Sequence, residues 1–172
     1  MRAFTILCLM LVATKFGMSL AHVLELPGKF RLDEATYKAV QAIYYPGFTI
    51  AGFIGEFGGM VALAVLLYLT PTGTSRFWWT AAALALLVLG HATYWLVTHP
   101  VNNFWVKDIA MSAPGSAFFS IFARHGRNRQ WTELRNVWEF SHVLIACFAT
   151  LSLIAISITT SLLPKELLES HE

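Results

Sequence analysis

The sequence predicts an all-α integral membrane protein: a single-domain four-helix bundle over residues 1–172, with short amphipathic segments in its two long loops. Three observations carry that fold class. Hydrophobic residues make up 56% of the chain and charged residues only 13%, with a mean hydropathy of +0.59, whereas soluble domains carry about 25% charged residues. Four stretches, about 3–26, 48–70, 77–98 and 137–163, each match the ~20 apolar residues needed to cross a ~30 Å hydrocarbon core. Proline, glycine and polar clusters separate them. The net charge of +2, without a basic run or a glycine-rich phosphate loop, argues against a nucleic-acid partner. Cys8 and Cys147 fall in apolar runs at different depths, so they are expected to be unbridged, small apolar residues.

In chain order, the first span follows Arg2 and runs past Lys15 to Glu25 without a convincing small-residue cleavage site, so it is read as a retained helix. Residues 33–45 read as a short amphipathic helix, with Asp33 as its cap, Tyr37, Val40 and Tyr44 on one face, and Pro46 as its stop. The second span carries Gly52, Gly55, Gly58 and Gly59; the Gly55/Gly59 pair lets another helix approach closely and permits a homo-oligomer. Pro71 and Gly73 turn the chain into the third span, where Trp78 and Trp79 suit an interface. Residues 101–136 mix Trp105, Phe118, Phe119 and Phe122 with Arg124, Arg127 and Arg129, as expected of an interfacial, lid-like segment. Pro164 closes the fourth span. Lysine and arginine counts favour cytoplasmic long loops and outward termini: Lys29, Arg31, Lys38, Lys107, Arg124, Arg127, Arg129 and Arg135 stand against Arg2, Arg76 and Lys165.

Ionisable residues inside a span are costly, and they are functional suspects by default. This chain has His22 and Glu25 in the first span, Glu56 in the second, His91 in the third, and Glu139 and His142 in the fourth. At ~1.5 Å per residue, Glu25 and Glu139 lie roughly 3 Å from the long-loop end, the histidines about 7–10 Å and Glu56 about 12 Å. All six therefore fall in one slab. His22-Val23-Leu24-Glu25 and Glu139-Phe140-Ser141-His142 each put a histidine and a carboxylate on neighbouring turns of one face. Glu-x-x-His pairs of this kind build carboxylate-bridged metal sites in helical bundles.

The expected ligand set is thus His22, Glu25, Glu56, His91, Glu139 and His142, for one or two transition-metal ions such as iron, manganese, copper or zinc. Haem b held by the histidines, a proton path, and purely structural Glu/His pairing are the alternatives. Lys15 is read as snorkelling, with a counter-ion role as the alternative, His99 as interfacial, and His125 and His171 as solvated. Asn102 and Asn103 are expected to cap or turn the chain, and Arg135 to pair with Glu139.

Thr98-His99-Pro100-Val101-Asn102-Asn103, then Trp131, Leu134-Arg135, Trp138-Glu139 and His142, with Glu25-Leu26-Pro27 near the start, resemble the anthrone oxygenase-like family of small four-span membrane proteins. The resemblance implies an oxygenase acting on an aromatic, polyketide-like substrate, and it points to Asn102, Arg135, Trp138, Glu139 and His142. It does not supply the metal. The expected function is therefore a membrane oxidoreductase, a metal-dependent or cofactor-free monooxygenase of a small hydrophobic substrate. Glu139, His142 and Arg135 are its expected catalytic residues, and a redox partner is an open possibility.

Overall fold

The computed structural model describes residues 1–45, 47–106, 109–110, 112–121 and 130–162. Arg124, Arg127, Arg129, Phe122, His125, Lys107, Lys165, His171, Pro46 and Pro164 lie outside the described residues, together with what the sequence suggested for them.

The described residues fold into six helices: α1 (Arg2–Lys29), α2 (Glu34–Tyr44), α3 (Gly47–Leu69), α4 (Ser75–Val106), α5 (Ala113–Ser120) and α6 (Trp131–Ser161). Four of them, α1, α3, α4 and α6, are long and apolar enough to cross a membrane. They correspond to the four expected spans, but three run further than expected at the long-loop end. α1 passes through Pro27 and closes with the Phe30 N–H donating to the Leu26 carbonyl at 3.1 Å. α4 continues through Pro100 to Val106, and α6 begins at Trp131.

Proline cannot donate and clashes with the carbonyl four residues back. In α4 a π-helical turn, Tyr94–Thr98, immediately precedes Pro100 and widens the helix where that clash would fall. A second π-helical turn, Phe53–Gly58, lies in α3 and contains Glu56. Such turns are rare and concentrate at functional sites.

The core has two halves. At the α3–α4 turn, Cys8, Val12, Leu63, Leu66, Ala83, Leu87 and Ile156 form an apolar cluster. At the opposite end Tyr37, Val101, Trp105, Phe119, Leu134 and Trp138 form an aromatic one. Small polar groups bind α4 to α6 along their length: Ser152 donates to the Ala83 carbonyl at 2.8 Å, and the Thr98 and Ser141 hydroxyls meet at 2.7 Å. The α3–α4 turn uses Gly73 at φ 84, a left-handed conformation that glycine adopts without cost. Thr74 then caps α4 by accepting from the Phe77 N–H at 3.1 Å.

α2 follows its expected outline, with Asp33 accepting from the Thr36 N–H at 2.8 Å. Its buried face, however, is Tyr37, Gln41 and Tyr44 rather than Tyr37, Val40 and Tyr44. Both cysteines are free, Cys8 buried and Cys147 exposed.

The second-span glycines serve this bundle internally. A Cβ on Gly55 would lie 2.9 Å from the Lys15 backbone nitrogen and 3.2 Å from the Leu11 carbonyl oxygen, both on α1. One on Gly59 would meet Leu87 of α4 at 3.1 Å. Gly55→Ala must therefore push α1 and α3 apart, with an expected loss of about 1–3 kcal/mol as for other overpacked sites. Gly58→Ala is the control: its nearest neighbour would be the Leu11 side chain at 3.7 Å. Thermal unfolding in mild detergent should show Gly55→Ala melting below wild type, and Gly58→Ala at or above it.

Candidate functional site

Between the two core clusters α1 changes character. Its buried residues are Thr5, Cys8, Val12, Lys15, Ser19, His22 and Lys29, one stripe at alternating three- and four-residue spacing with a last step of seven. The stripe is small or apolar up to Val12 and polar beyond it. Lys15, His22 and Lys29 are seven residues apart and therefore share a face, which is the face turned to the other helices.

Lys29 is the junction of the larger polar cluster. Its ammonium lies 3.1 Å from Glu25, one turn back on α1, and 3.7 Å from Glu139 on α6. It also sits over the rings of Tyr44 and Trp138, 4.6 and 4.7 Å from their centroids. α2 closes the cluster from above. The Tyr44 hydroxyl donates to Glu25 at 2.5 Å and the Tyr37 hydroxyl to Glu139 at 2.6 Å, while Gln41 donates to the Tyr37 oxygen at 3.1 Å. The second Glu139 oxygen, Oε2, is buried and has no hydrogen-bond partner among the described residues. Glu25 is the accessible carboxylate, its side chain 39% exposed.

Two imidazoles lie against this cluster. His22 is surrounded by Tyr44, Phe48, Trp138 and His142, with the His22 and His142 rings edge-to-face at 4.6 Å. His22 Nδ1 is buried, 3.9 Å from Glu25 and beyond hydrogen-bond reach. His142 Nδ1 is 2.8 Å from the Trp138 carbonyl, which can only accept. Nδ1 therefore carries the proton, and Nε2 is the lone-pair nitrogen of the neutral ring. The same ring lies on the Trp138 indole at 3.8 Å.

The other two members of the expected set form a separate group. Glu56 makes an ion pair with Lys15 and a 2.6 Å contact to His91 Nδ1. Trp95 donates to His91 Nε2 at 3.0 Å. Because indole N–H only donates, Nε2 is unprotonated and Nδ1–H points at the Glu56 carboxylate. The six residues thus divide into His22, Glu25, Glu139 and His142 on one side and Glu56 with His91 on the other. In both groups a lysine stands where a metal cation was expected to neutralise the carboxylates. Among the described residues no three His, Cys, Asp or Glu side chains are grouped to hold a metal ion.

Several single-residue expectations change. Lys15 does not snorkel; it is buried and paired with Glu56. Lys29, counted among the loop cations, is buried within α1. Arg135 does not form the expected ion pair with Glu139: its guanidinium lies 4.5 Å from the Phe30 ring centroid and 5.1 Å from that of Trp131, and Nη1 donates to the Phe30 carbonyl at 3.4 Å. His99 is fully buried, with Nδ1 3.3 Å from the Tyr94 hydroxyl. Asn102 lies inside α4 and joins it to α6 and to the residue that follows α2: its Oδ1 accepts from Trp138 Nε1 at 2.8 Å and from Tyr45 at 3.3 Å, and its Nδ2 donates to Tyr94 of α4 at 3.3 Å.

Lys29 and the α2 tyrosines are the functional residues that sequence reasoning missed. Lys29 had a signal, since it continues the seven-residue step from Lys15 to His22. The tyrosines had only their place on the buried face of α2.

Two outcomes follow. Lys29→Met leaves Glu139 buried without its cation, so unfolding in detergent should show a loss of about 3–5 kcal/mol, the usual cost of breaking a buried pair. The partly exposed Glu25 contributes little to that figure. Burial and the adjacent carboxylates hold the Tyr37 and Tyr44 phenols above the ordinary value of 10.0, and burial does the same for Tyr45. The neutral phenols therefore contribute stability that is complete below pH 10 and is lost as the pH climbs above it. Their phenolate absorbance should appear only together with unfolding.

Comparison with family models, characterised proteins and solved structures found no match for this chain.

Proposed function

We propose that this chain is an integral membrane enzyme that removes a proton from a small, hydrophobic, weakly acidic substrate and presents the resulting anion to dioxygen. Insertion in the bilayer is supported by what the bundle leaves uncovered. In the most apolar part of each long helix only 22–39% of residues are buried inside, so most of that apolar surface needs lipid. Residues such as Met10, Leu24, Phe53 and Leu96 point outward. With Lys29 buried, the remaining loop cations still favour cytoplasmic long loops.

The observation that carries the reading is the fixed tautomer of His142. Its Nδ1 proton is committed to the Trp138 carbonyl, so Nε2 is an oriented base in an aromatic-walled site. His22 stands beside it, and the Lys29 ammonium over the Trp138 ring, on which His142 also lies, supplies positive charge on that side of the site. Entry is from the side where Glu25 is exposed. The resemblance of the 98–142 segment to anthrone oxygenase-like proteins suggests the reaction type. For a substrate methylene the balance is R2CH2 + O2 → R2C=O + H2O. His142 accepts the first proton, the carbanion gives its electrons to dioxygen, and one oxygen atom enters the product while the other leaves in water. No external reductant is required. In this reading Glu139, held by Tyr37 and Lys29, sets the charge around the histidines, and Arg135 fixes the entry of α6 against α1.

The test uses purified protein in mild detergent with anthrone as the probe, oxygen uptake as the readout, and elemental analysis of the same preparation. Wild type should consume oxygen above the uncatalysed rate and be indifferent to chelator. His142→Ala should lose about 100-fold or more, the usual share of a general base, while melting like wild type. Equal rates for wild type and His142→Ala would sink the proposal. Stoichiometric metal that disappears together with activity in a folded Glu139→Ala/His142→Ala variant would replace proton abstraction with metal chemistry.

A further inference from the structure

Trp138 touches both imidazoles and the ammonium of the site. Its indole carries the His142 ring at 3.8 Å, meets the edge of His22 at 5.0 Å, and lies under the Lys29 ammonium at 4.7 Å. The plane of that one ring therefore sets the orientation of both imidazoles and one face of the cation. An indole has a single polar atom with which the protein can fix its rotation, and in Trp138 it is spent on Asn102, at 2.8 Å with both residues only 2% exposed.

Asn102 is itself fixed. Trp138 Nε1 can only donate, so the atom it meets must be the amide oxygen, and the amide NH2 necessarily faces Tyr94. Tyr45 donates to the same Oδ1 from the segment just after α2. The amide thus links α4 and the end of α2 to the aromatic wall of α6. Asn102 touches neither imidazole, and a leucine of similar size would fill its volume without supplying the acceptor.

We infer that Asn102 is a positioning residue, which through the Trp138 indole holds His142 in the rotamer and tautomer that make Nε2 the base. The inference rests on the proposed role of His142, but it predicts a spectroscopic signature that does not depend on turnover. With the indole free to rotate, the His142 ring loses its stacking partner and its Nδ1–H contact to the Trp138 carbonyl loosens. The two neutral tautomers then mix.

The experiment is nitrogen-15 NMR of histidine-labelled full-length protein in detergent, with His142 assigned by its loss in His142→Ala. Wild type should show His142 almost entirely as the Nδ1–H tautomer. Asn102→Leu and Trp138→Phe should each bring the population toward an even mixture, and the double variant should go no further than either single one. Trp138→Phe keeps a ring in place, so it serves as the readout if Asn102→Leu does not fold. Oxygen uptake with anthrone should fall at least 10-fold in the same variants, with kcat affected and KM little changed.

An unaltered His142 signal in folded Asn102→Leu would overturn the inference. So would additive effects in the double variant, or an unaltered signal in Trp138→Phe. A tautomer shift in protein that shows no catalysed oxygen uptake would sustain the positioning of His142 and count against the proposed reaction alone.

Discussion

A buried ammonium shared by two carboxylates is the interaction on which the arrangement of this bundle depends. Lys29 lies in α1, Glu25 one turn before it, and Glu139 across the bundle on α6; the rings of Tyr44 and Trp138 cover the remaining faces of the cation. In a medium of low dielectric each of these charges alone would be expensive, and the cost is met only when they stand together with hydrogen bonds on the remaining lone pairs. The α2 tyrosines supply those hydrogen bonds. The position of α2 over the bundle, the rotation of α1, and the register of α6 against α1 are therefore consequences of one charge cluster. Hydrophobic packing alone would fix them only loosely.

The same logic explains the division of the molecule into an apolar and a polar half. Toward the α3–α4 turn, contact is made by small and aliphatic side chains and by close approach at Gly55 and Gly59. In a bilayer, lipid would compete well with such contacts, since acyl chains are as apolar as leucine, so close packing and hydroxyl-to-backbone bonds would have to hold the helices together. Toward the other end, ion pairs, aromatic rings and hydrogen bonds do the holding. The two π-helical turns lie where the halves meet, one containing Glu56 and the other following His91. Each supplies the local widening that lets a polar side chain meet partners on another helix.

Three carboxylates and two ammonium groups leave the inner polar region with one negative charge in excess when all are ionised. One further proton on the imidazoles or carboxylates neutralises it. In the proposed reaction the proton taken from the substrate would arrive where a cation is lacking, and would therefore offset that excess. Two further features lie beside the ion pairs: His142 has a lone pair with a fixed direction, and Glu139 Oε2 has no hydrogen-bond partner among the described residues.

Much of the fold was legible in the sequence for a simple reason. A membrane-crossing helix needs a long apolar run whatever its partners are, and α1, α3, α4 and α6 announce themselves in that way; Asp33 and the spacing of Tyr37 and Tyr44 announced α2 as well. That His22, Glu25, Glu56, His91, Glu139 and His142 are polar groups inside long apolar helices was also legible, because ionisable groups in apolar runs stand out against their surroundings. Who meets whom was not. Depth along each helix is set by counting residues, but rotation about the axis and the contacts between helices are not, so six groups at similar depth read as one ligand set when they form two. Lys29 and Lys15 looked like solvated or snorkelling cations because lysine usually is one, and Asn102 looked like a turn residue beside Pro100. The sequence by itself determined the spans and the polar inventory, since both follow from the local cost of putting a given side chain in lipid. Only the tertiary structure decided the pairing, since a lysine within reach of a carboxylate on another helix is a property of packing that no single stretch of chain contains.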